Sequence, residues 1–261
     1  MSAERDDDSA QKFADAFSTP IGAPLVPRFP IRFRDTTVLT VAYRSAPSAI
    51  ARFLPPPLEA VSDIVLLHFY RMSDPDWFGP HQEFAVQLDA RLRADDGEEV
   101  RGAYSSLLML STDGGLATGR EVYGQPKKLG EPKIEVRGDL VVGVAARNGL
   151  DVATVTTPFK QQPGDIAELQ AVVPFATNLN YKVIPHITGE SAVRQVTARI
   201  LTDVVVHECW KGPATVELRP NAQFPLHLLP VKSVEVGYLW RADFSLPFGR
   251  VVHDALAQEP E

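Results

Sequence analysis

The chain has 261 residues, a net charge of -7 and 44% hydrophobic residues, enough for a substantial core, yet no apolar run approaches the roughly 20 residues that a membrane helix needs. An acidic balance with no dense cluster of Lys and Arg argues against a nucleic-acid surface, which depends on concentrated positive charge. Cys209 is the only cysteine, so no internal disulfide can form, and the N-terminus lacks a secretory signal pattern; a reducing cytoplasm and small-molecule partners are expected.

In chain order, residues 1–16 read as a flexible acidic tail carrying Glu4-Arg5-Asp6-Asp7-Asp8, and 17–261 as a single domain. From Ile31 onward, short β-branched or apolar runs alternate with Pro, Gly, Asp and Asn, the spacing of an antiparallel barrel or sandwich. Strands are predicted at 38–43, 64–70, 83–93, 104–110, 133–137, 140–147, 150–157, 178–184, 193–207, 214–218 and 232–246. Ala94-Asp95-Asp96-Gly97 and Arg147-Asn148-Gly149 predict tight hairpins, because Asp-Gly and Asn-Gly readily take positive φ angles. Short helices are expected at 47–53 behind a Ser45 cap, at 119–123 and at 249–257. The fold class is mainly β (α+β), with a few short helices.

The segment richest in chemistry is Gly119-Arg120-Glu121-Val122-Tyr123-Gly124-Gln125-Pro126-Lys127-Lys128-Leu129-Gly130. A lysine at its ordinary pKa is protonated at neutral pH, so attack on a carbonyl requires burial or a nearby cation to release the free amine. Lys127 is the candidate nucleophile and Lys128 its cationic neighbour. If the two lie in an extended segment their side chains diverge, and desolvation then does more than charge repulsion. Pro126 stiffens the approach to Lys127 by fixing φ. A bare Lys-Lys pair reads equally as two solvated residues at a turn.

This segment resembles the acetoacetate decarboxylase family, whose signature reads Gly-Arg-Glu, a few variable residues, then Pro-Lys-Lys-Leu/Ile, with the first lysine forming a Schiff base. Further segments resemble family landmarks in the family's order: Leu39-Thr40-Val41-Ala42-Tyr43-Arg44, Leu54-Pro55-Pro56-Pro57-Leu58-Glu59, Lys182-Val183-Ile184-Pro185, the run 202–213, and Leu229-Pro230-Val231-Lys232. The resemblance implies a cone-shaped antiparallel β-barrel, a homo-oligomer of four or more chains, a small oxo-acid substrate and no cofactor. Apolar burial or a cationic neighbour is how acetoacetate decarboxylase itself is understood to activate its lysine.

Residue by residue, an ungapped count from Pro55-Pro56-Pro57-Leu58-Glu59 places a family active-site glutamate on Glu83, a general acid or base, though a solvated carboxylate opening a strand is the competing reading. The same count puts Thr36 where the decarboxylases have an arginine and His68 where they have a second glutamate. Arg34, two residues before Thr36, could restore the arginine by a local shift. Arg120 and Glu121 could hold a substrate carboxylate and shuttle a proton, or pair internally and position the lysine loop. Gln125 could hydrogen-bond a substrate oxygen or stand exposed in the turn, and Tyr238 could protonate a leaving hydroxyl or be a core tyrosine.

The six histidines never fall at metal-ligand spacing, and the glycines do not form a dinucleotide or phosphate loop, so neither metal nor nucleotide is expected. A thiol–histidine pair at His207 and Cys209 is weighed and set aside, since cysteine is most often simply buried. The expected chemistry is a lysine Schiff-base lyase. With Thr36 and His68 in place of charged groups, it leans to aldol condensation and dehydration of a 2-oxo acid such as pyruvate with an aldehyde co-substrate. Decarboxylation of acetoacetate or another 3-oxo acid is the alternative, and a non-catalytic binding barrel the rival from another class.

Overall fold

The computed structural model describes residues 16–257, so nearly all of the expected acidic tail at 1–16 lies outside the described residues. The strands form two sheets. The larger, 11-stranded sheet contains β1 (Ile31–Arg44), β2 (Glu59–Pro75), β3 (His81–Arg93), β4 (Glu99–Leu110), β5 (Lys127–Leu129), β9 (Gln162–Pro163), β10 (Thr177–Pro185), β11 (Ser191–Ile200), β12 (Thr202–Gly212), β14 (Ser233–Leu246) and β15 (Arg250–Asp254). The smaller, 4-stranded sheet contains β6 (Glu131–Arg137), β7 (Leu140–Arg147), β8 (Leu150–Pro158) and β13 (Thr215–Leu218).

The large sheet runs β15-β11-β10-β4-β3-β2-β1-β14-β12-β9, with β5 added to β4. The mainly β class expected from the sequence holds, and the two ends of this sheet, β15 and β9, are not paired with each other among the described residues. One edge of β4 is divided between two parallel partners, β10 at Ala103 and Tyr104 and β5 from Leu108 to Leu110. The sheet forks there.

Alternation along the central strands gives the sheet two buried faces. Leu39, Val41 and Tyr43 of β1, Val65, Leu67 and Phe69 of β2, and Phe84, Val86 and Leu88 of β3 pack into a core shared with Val141, Ala145, Val152 and Val155 of the small sheet. The intervening residues face the other way. Val38, Ala42, Ile64, Leu66 and Trp240 meet Ile166 and Leu169 of helix α3 (Ile166–Val172), while Ile31, Phe33, Met72 and Phe244 form a separate cluster.

Several landmarks are framework. The buried Tyr43 hydroxyl donates to the Leu229 carbonyl at 3.0 Å, Ser45 donates to the Pro230 carbonyl at 2.9 Å, and the Lys232 amide donates to the Arg44 carbonyl at 2.8 Å. Ser45 therefore does not cap helix α1 (Pro47–Ala51), whose N-cap is Ala46 with no side-chain hydrogen bond. Both predicted hairpins form, with Gly97 at φ 88° and with Asn148 and Gly149 at φ 54° and 73°.

The predicted strand at 193–207 is two strands: β11 pairs with β10 and β15, whereas β12 crosses to β14, with Asp203 at φ 53° just after the break. The helix expected at 249–257 is instead strand β15, where β-branched Val251 and Val252 alternate outward and inward against β11. Helix α2 (Asp113–Thr118) and α3 were not foreseen; Asp165 caps α3 by accepting the Ala167 amide at 2.9 Å.

Phe84 is fully buried between Phe69 and Phe224, with centroid distances of 4.3 and 5.8 Å. Phe84→Ala is expected to cost about 3–5 kcal/mol of stability, read by urea denaturation, because it removes a large core side chain.

Candidate active site

Helix α2 runs directly into a π-helical turn (Gly119–Tyr123), which ends at Gly124 in the left-handed region at φ 79°. There the Gln125 amide returns to the Gly119 carbonyl at 2.9 Å and the chain enters β5 at Lys127. Both glycines are required by space. A methyl group on Gly119 would lie 2.4 Å from Cδ of Lys127, and one on Gly124 would lie 2.3 Å from Cβ of Lys182. Lys182 crosses the turn and donates to the Val122 carbonyl at 3.2 Å, Thr197 donates to the Tyr123 carbonyl at 2.6 Å, and the Tyr123 hydroxyl donates to Pro247 at 2.6 Å.

This loop delivers Lys127 into a cavity of about 80 Å³ walled by β1, β2, β3, β4, β11, β14 and the turn itself. Its apolar lining includes Phe33, Met72, Phe78, Leu108, Leu201 and Phe244. From β3, the residues alternating with the core positions face inward: His81, Glu83, Ala85 and Gln87. The Lys127 Nζ donates to Oε2 of Glu83 at 2.8 Å, and both side chains are about nine-tenths buried. Burial holds the His81 ring below its ordinary pKa and raises those of Tyr70 and Tyr123, so all three are neutral near pH 7.

Arg199, on β11, also lines this cavity and is 9% exposed. Its Nη2 donates to Oδ1 of Asn178 at 3.3 Å and its guanidinium lies 5.5 Å from the Tyr123 ring centroid, while Nε and Nη1 have no hydrogen-bond partner among the described residues. Asn178 Oδ1 also accepts from Gln125 Nε2 at 3.3 Å and from Asn180 at 3.1 Å, and its Nδ2 donates to Ser105 at 2.8 Å. Asn178 and Asn180 on β10 and Ser105 on β4 lie beside the fork that admits β5.

Of the residues singled out in the sequence, Lys127, Glu83 and Gln125 share the cavity. Lys128 does not: alternation along β5 turns it the other way, where Nζ donates to the Gln223 carbonyl at 2.6 Å. The Lys128 pKa lies below its usual value through burial, then through the charges of Arg147 and Arg120, but that cation is not beside Lys127. Arg120 is exposed and donates to the Lys127 carbonyl at 3.3 Å, which positions the loop; Glu121 is exposed, and its charge acts on Lys182.

Tyr238 lies outside the cavity, donating to Oε2 of Glu168 at 3.1 Å, its pKa pushed up to about 12 chiefly by burial. Arg34 does not restore the missing arginine, because it pairs at the surface with Asp74 and Asp76 at 3.4 and 2.9 Å. Thr36 is fully buried with its hydroxyl unpartnered. Cys209 is half-buried, its thiol raised to about 11 by burial, and His207 pairs with Asp243 at 3.0 Å.

His68 is fully buried and does not line the cavity. Trp240 Nε1 donates to Thr40 Oγ1 at 3.0 Å, and Thr40 Oγ1 bonds His68 Nδ1 at 2.9 Å; burial drives the His68 pKa to about 3. Arg199 and Asn178 escaped the sequence reading. The available signal was a charge on an inward position of β11, alternating with Thr197 whose hydroxyl is also buried.

Gly119→Ala, helical in φ and therefore unstrained, is expected to fold but to displace the Lys127 side chain from Glu83, read as shifted Lys127 side-chain resonances by NMR. For His68 the folded pKa of about 3 lies below the ordinary 6.5, so its share of stability is complete above pH 6.5 and is lost as pH falls towards about 3. His68→Gln should therefore show a shallower loss of melting temperature than wild type across that window.

The acetoacetate decarboxylase (ADC) family model matches residues 18–256. Acetoacetate decarboxylase 1 of Bradyrhizobium diazoefficiens is 34% identical over 243 residues, covering 93% of this chain and 95% of that protein. A crystal structure of acetoacetate decarboxylase from Legionella pneumophila superposes with a TM-score of 0.84 at 31% identity, covering 94% of this chain and 96% of that one. The enduracididine biosynthesis enzyme MppR, complexed with the condensation product of pyruvate and imidazole 4-carboxaldehyde, has a TM-score of 0.72 at 17% identity over 91% of this chain and 96% of that one, a likeness of fold alone. On the extent of the family match and of the identity to its relatives, the chain belongs to the acetoacetate decarboxylase family.

Proposed function

We propose that the protein is a lyase in which Lys127 forms a Schiff base with the keto carbon of a small oxo acid and Glu83 moves the protons. The observation that carries this reading is the contact of a buried amine with a buried carboxylate, 2.8 Å apart inside a small, largely apolar cavity. The cavity is far below the roughly 300–1,000 Å³ of drug-sized sites, which suits a short acid.

Transfer of one proton from Nζ to Glu83 frees the amine, which attacks the keto carbon. As the carbinolamine forms, the nitrogen proton passes to the former carbonyl oxygen. The carboxylic acid of Glu83 then returns its proton to that hydroxyl, water departs, and a protonated imine remains on Lys127 with Glu83 again ionised. A 3-oxo acid would next expel carbon dioxide, the electron pair passing to the imine. A 2-oxo acid would instead lose an α-proton, and the enamine would add to an aldehyde.

Decarboxylation is supported by relatives named acetoacetate decarboxylase at more than 30% identity. Aldol chemistry is favoured by the neutral residues Thr36 and His68, where the family resemblance sets an arginine and a second glutamate. With Tyr238 bonded elsewhere, Glu83 is also the group in the cavity suited to protonate a departing hydroxyl.

Incubation with pyruvate or acetoacetate followed by borohydride should give a mass adduct that Lys127→Ala abolishes. Glu83→Gln should slow imine formation by roughly 10²–10⁴-fold. An adduct that survives Lys127→Ala refutes the nucleophile. Retained oxo-acid affinity with no adduct in wild type would identify a binding module.

A further inference from the structure

We infer that Arg199 anchors a carboxylate that the substrate keeps throughout turnover, so that the preferred substrate is an oxo acid whose anion outlives the carbon–carbon step, in the first instance a 2-oxo acid. This inference rests on the Schiff-base reading of Lys127 and names the substrate class of the same site.

A guanidinium that is 9% exposed, with Nε and Nη1 unpartnered, is expensive to bury unless something arrives to bind it. No described carboxylate forms an ion pair with it: the carboxylate in the cavity, Glu83, is taken by Lys127. Two formal positive charges, Lys127 and Arg199, therefore face one negative charge, and the neutral His81 ring adds none. The cavity is one anion short of balance, which selects a monoanionic ligand.

The anchor is also held in register with the nucleophile. Asn178 Oδ1 accepts from both Arg199 Nη2 and Gln125 Nε2, and Gln125 is separated from Lys127 only by Pro126. A carboxylate on Arg199 thus fixes where the keto carbon lies relative to Nζ.

The fate of that carboxylate follows from charge. A carboxyl group expelled as neutral carbon dioxide gives up its negative charge on the way to the transition state, so charge-assisted bonds from Arg199 would weaken as it left and would raise the barrier. A carboxylate that is a spectator loses nothing. In a 2-oxo acid the iminium gives its α-proton to Glu83, the C–H electron pair becomes the enamine, and the carboxylate stays on Arg199. The enamine carbon then bonds an aldehyde carbon, and the aldehyde oxygen takes the proton back from Glu83.

Lactate and lactamide, which carry no keto group, separate this anchor from the imine. Calorimetry should show lactate binding to wild type, weakened roughly ten- to hundredfold in Arg199→Gln and partly retained in Arg199→Lys, with lactamide binding unchanged. Equal lactate binding by wild type and Arg199→Gln, parallel loss of lactate and lactamide, or no lactate binding by wild type would each overturn the anchor. Efficient release of carbon dioxide from acetoacetate that falls with Arg199→Gln would show the anchored carboxylate to be the one expelled and would overturn its retention. Failure of the imine reading is visible separately, as the absence of any borohydride adduct while lactate binding still depends on Arg199.

Discussion

The contact between Lys127 and Glu83 is the constraint around which the rest of the structure is arranged. An amine and a carboxylate can share a buried, largely apolar cavity because each satisfies the other at 2.8 Å. That contact needs Glu83 on an inward position of β3, Lys127 on the inward position of a three-residue strand, and Gly119 without a side chain where the lysine passes. The forked sheet provides the place. By dividing the edge of β4 between β10 and β5, the fold brings Asn178 beside the Gln125-Pro126-Lys127 segment from a distant part of the chain.

Much of this was legible in the sequence. The Gly-Arg-Glu…Pro-Lys-Lys segment pointed to the lysine that enters the cavity, and alternation predicted that two adjacent lysines in a strand would part, as Lys127 and Lys128 do. Glu83 was reached by counting without gaps from Pro55-Pro56-Pro57-Leu58-Glu59, through β2 and the short connection to β3, with which β2 pairs. The central strands and both tight hairpins were visible because their periodicity and turn residues are local properties.

What escaped was non-local. A three-residue strand such as β5 has too few residues to show a period, and the parallel pairings of β4 leave no trace in any one segment. Strand β15 was read as a helix because its identity depends on the edge offered by β11. Arg199 is the sharpest case, since a charge within a strand is only a faint local signal and the fold is what places it in one cavity with Lys127. The positions where this chain departs from the decarboxylases, Thr36 and His68, are both fully buried and uncharged, while the guanidinium in the cavity arrives from a different strand. The charge pattern of the site is thus built differently from the one the resemblance implied.

The most direct measurement is site-resolved: reduction with borohydride in the presence of an oxo acid, followed by tandem mass spectrometry of the peptide containing both Lys127 and Lys128. Substrate carbon is expected on the ε-nitrogen of Lys127, with Lys128 unmodified. Label on Lys128, or on neither lysine at saturating oxo acid, would contradict that placement.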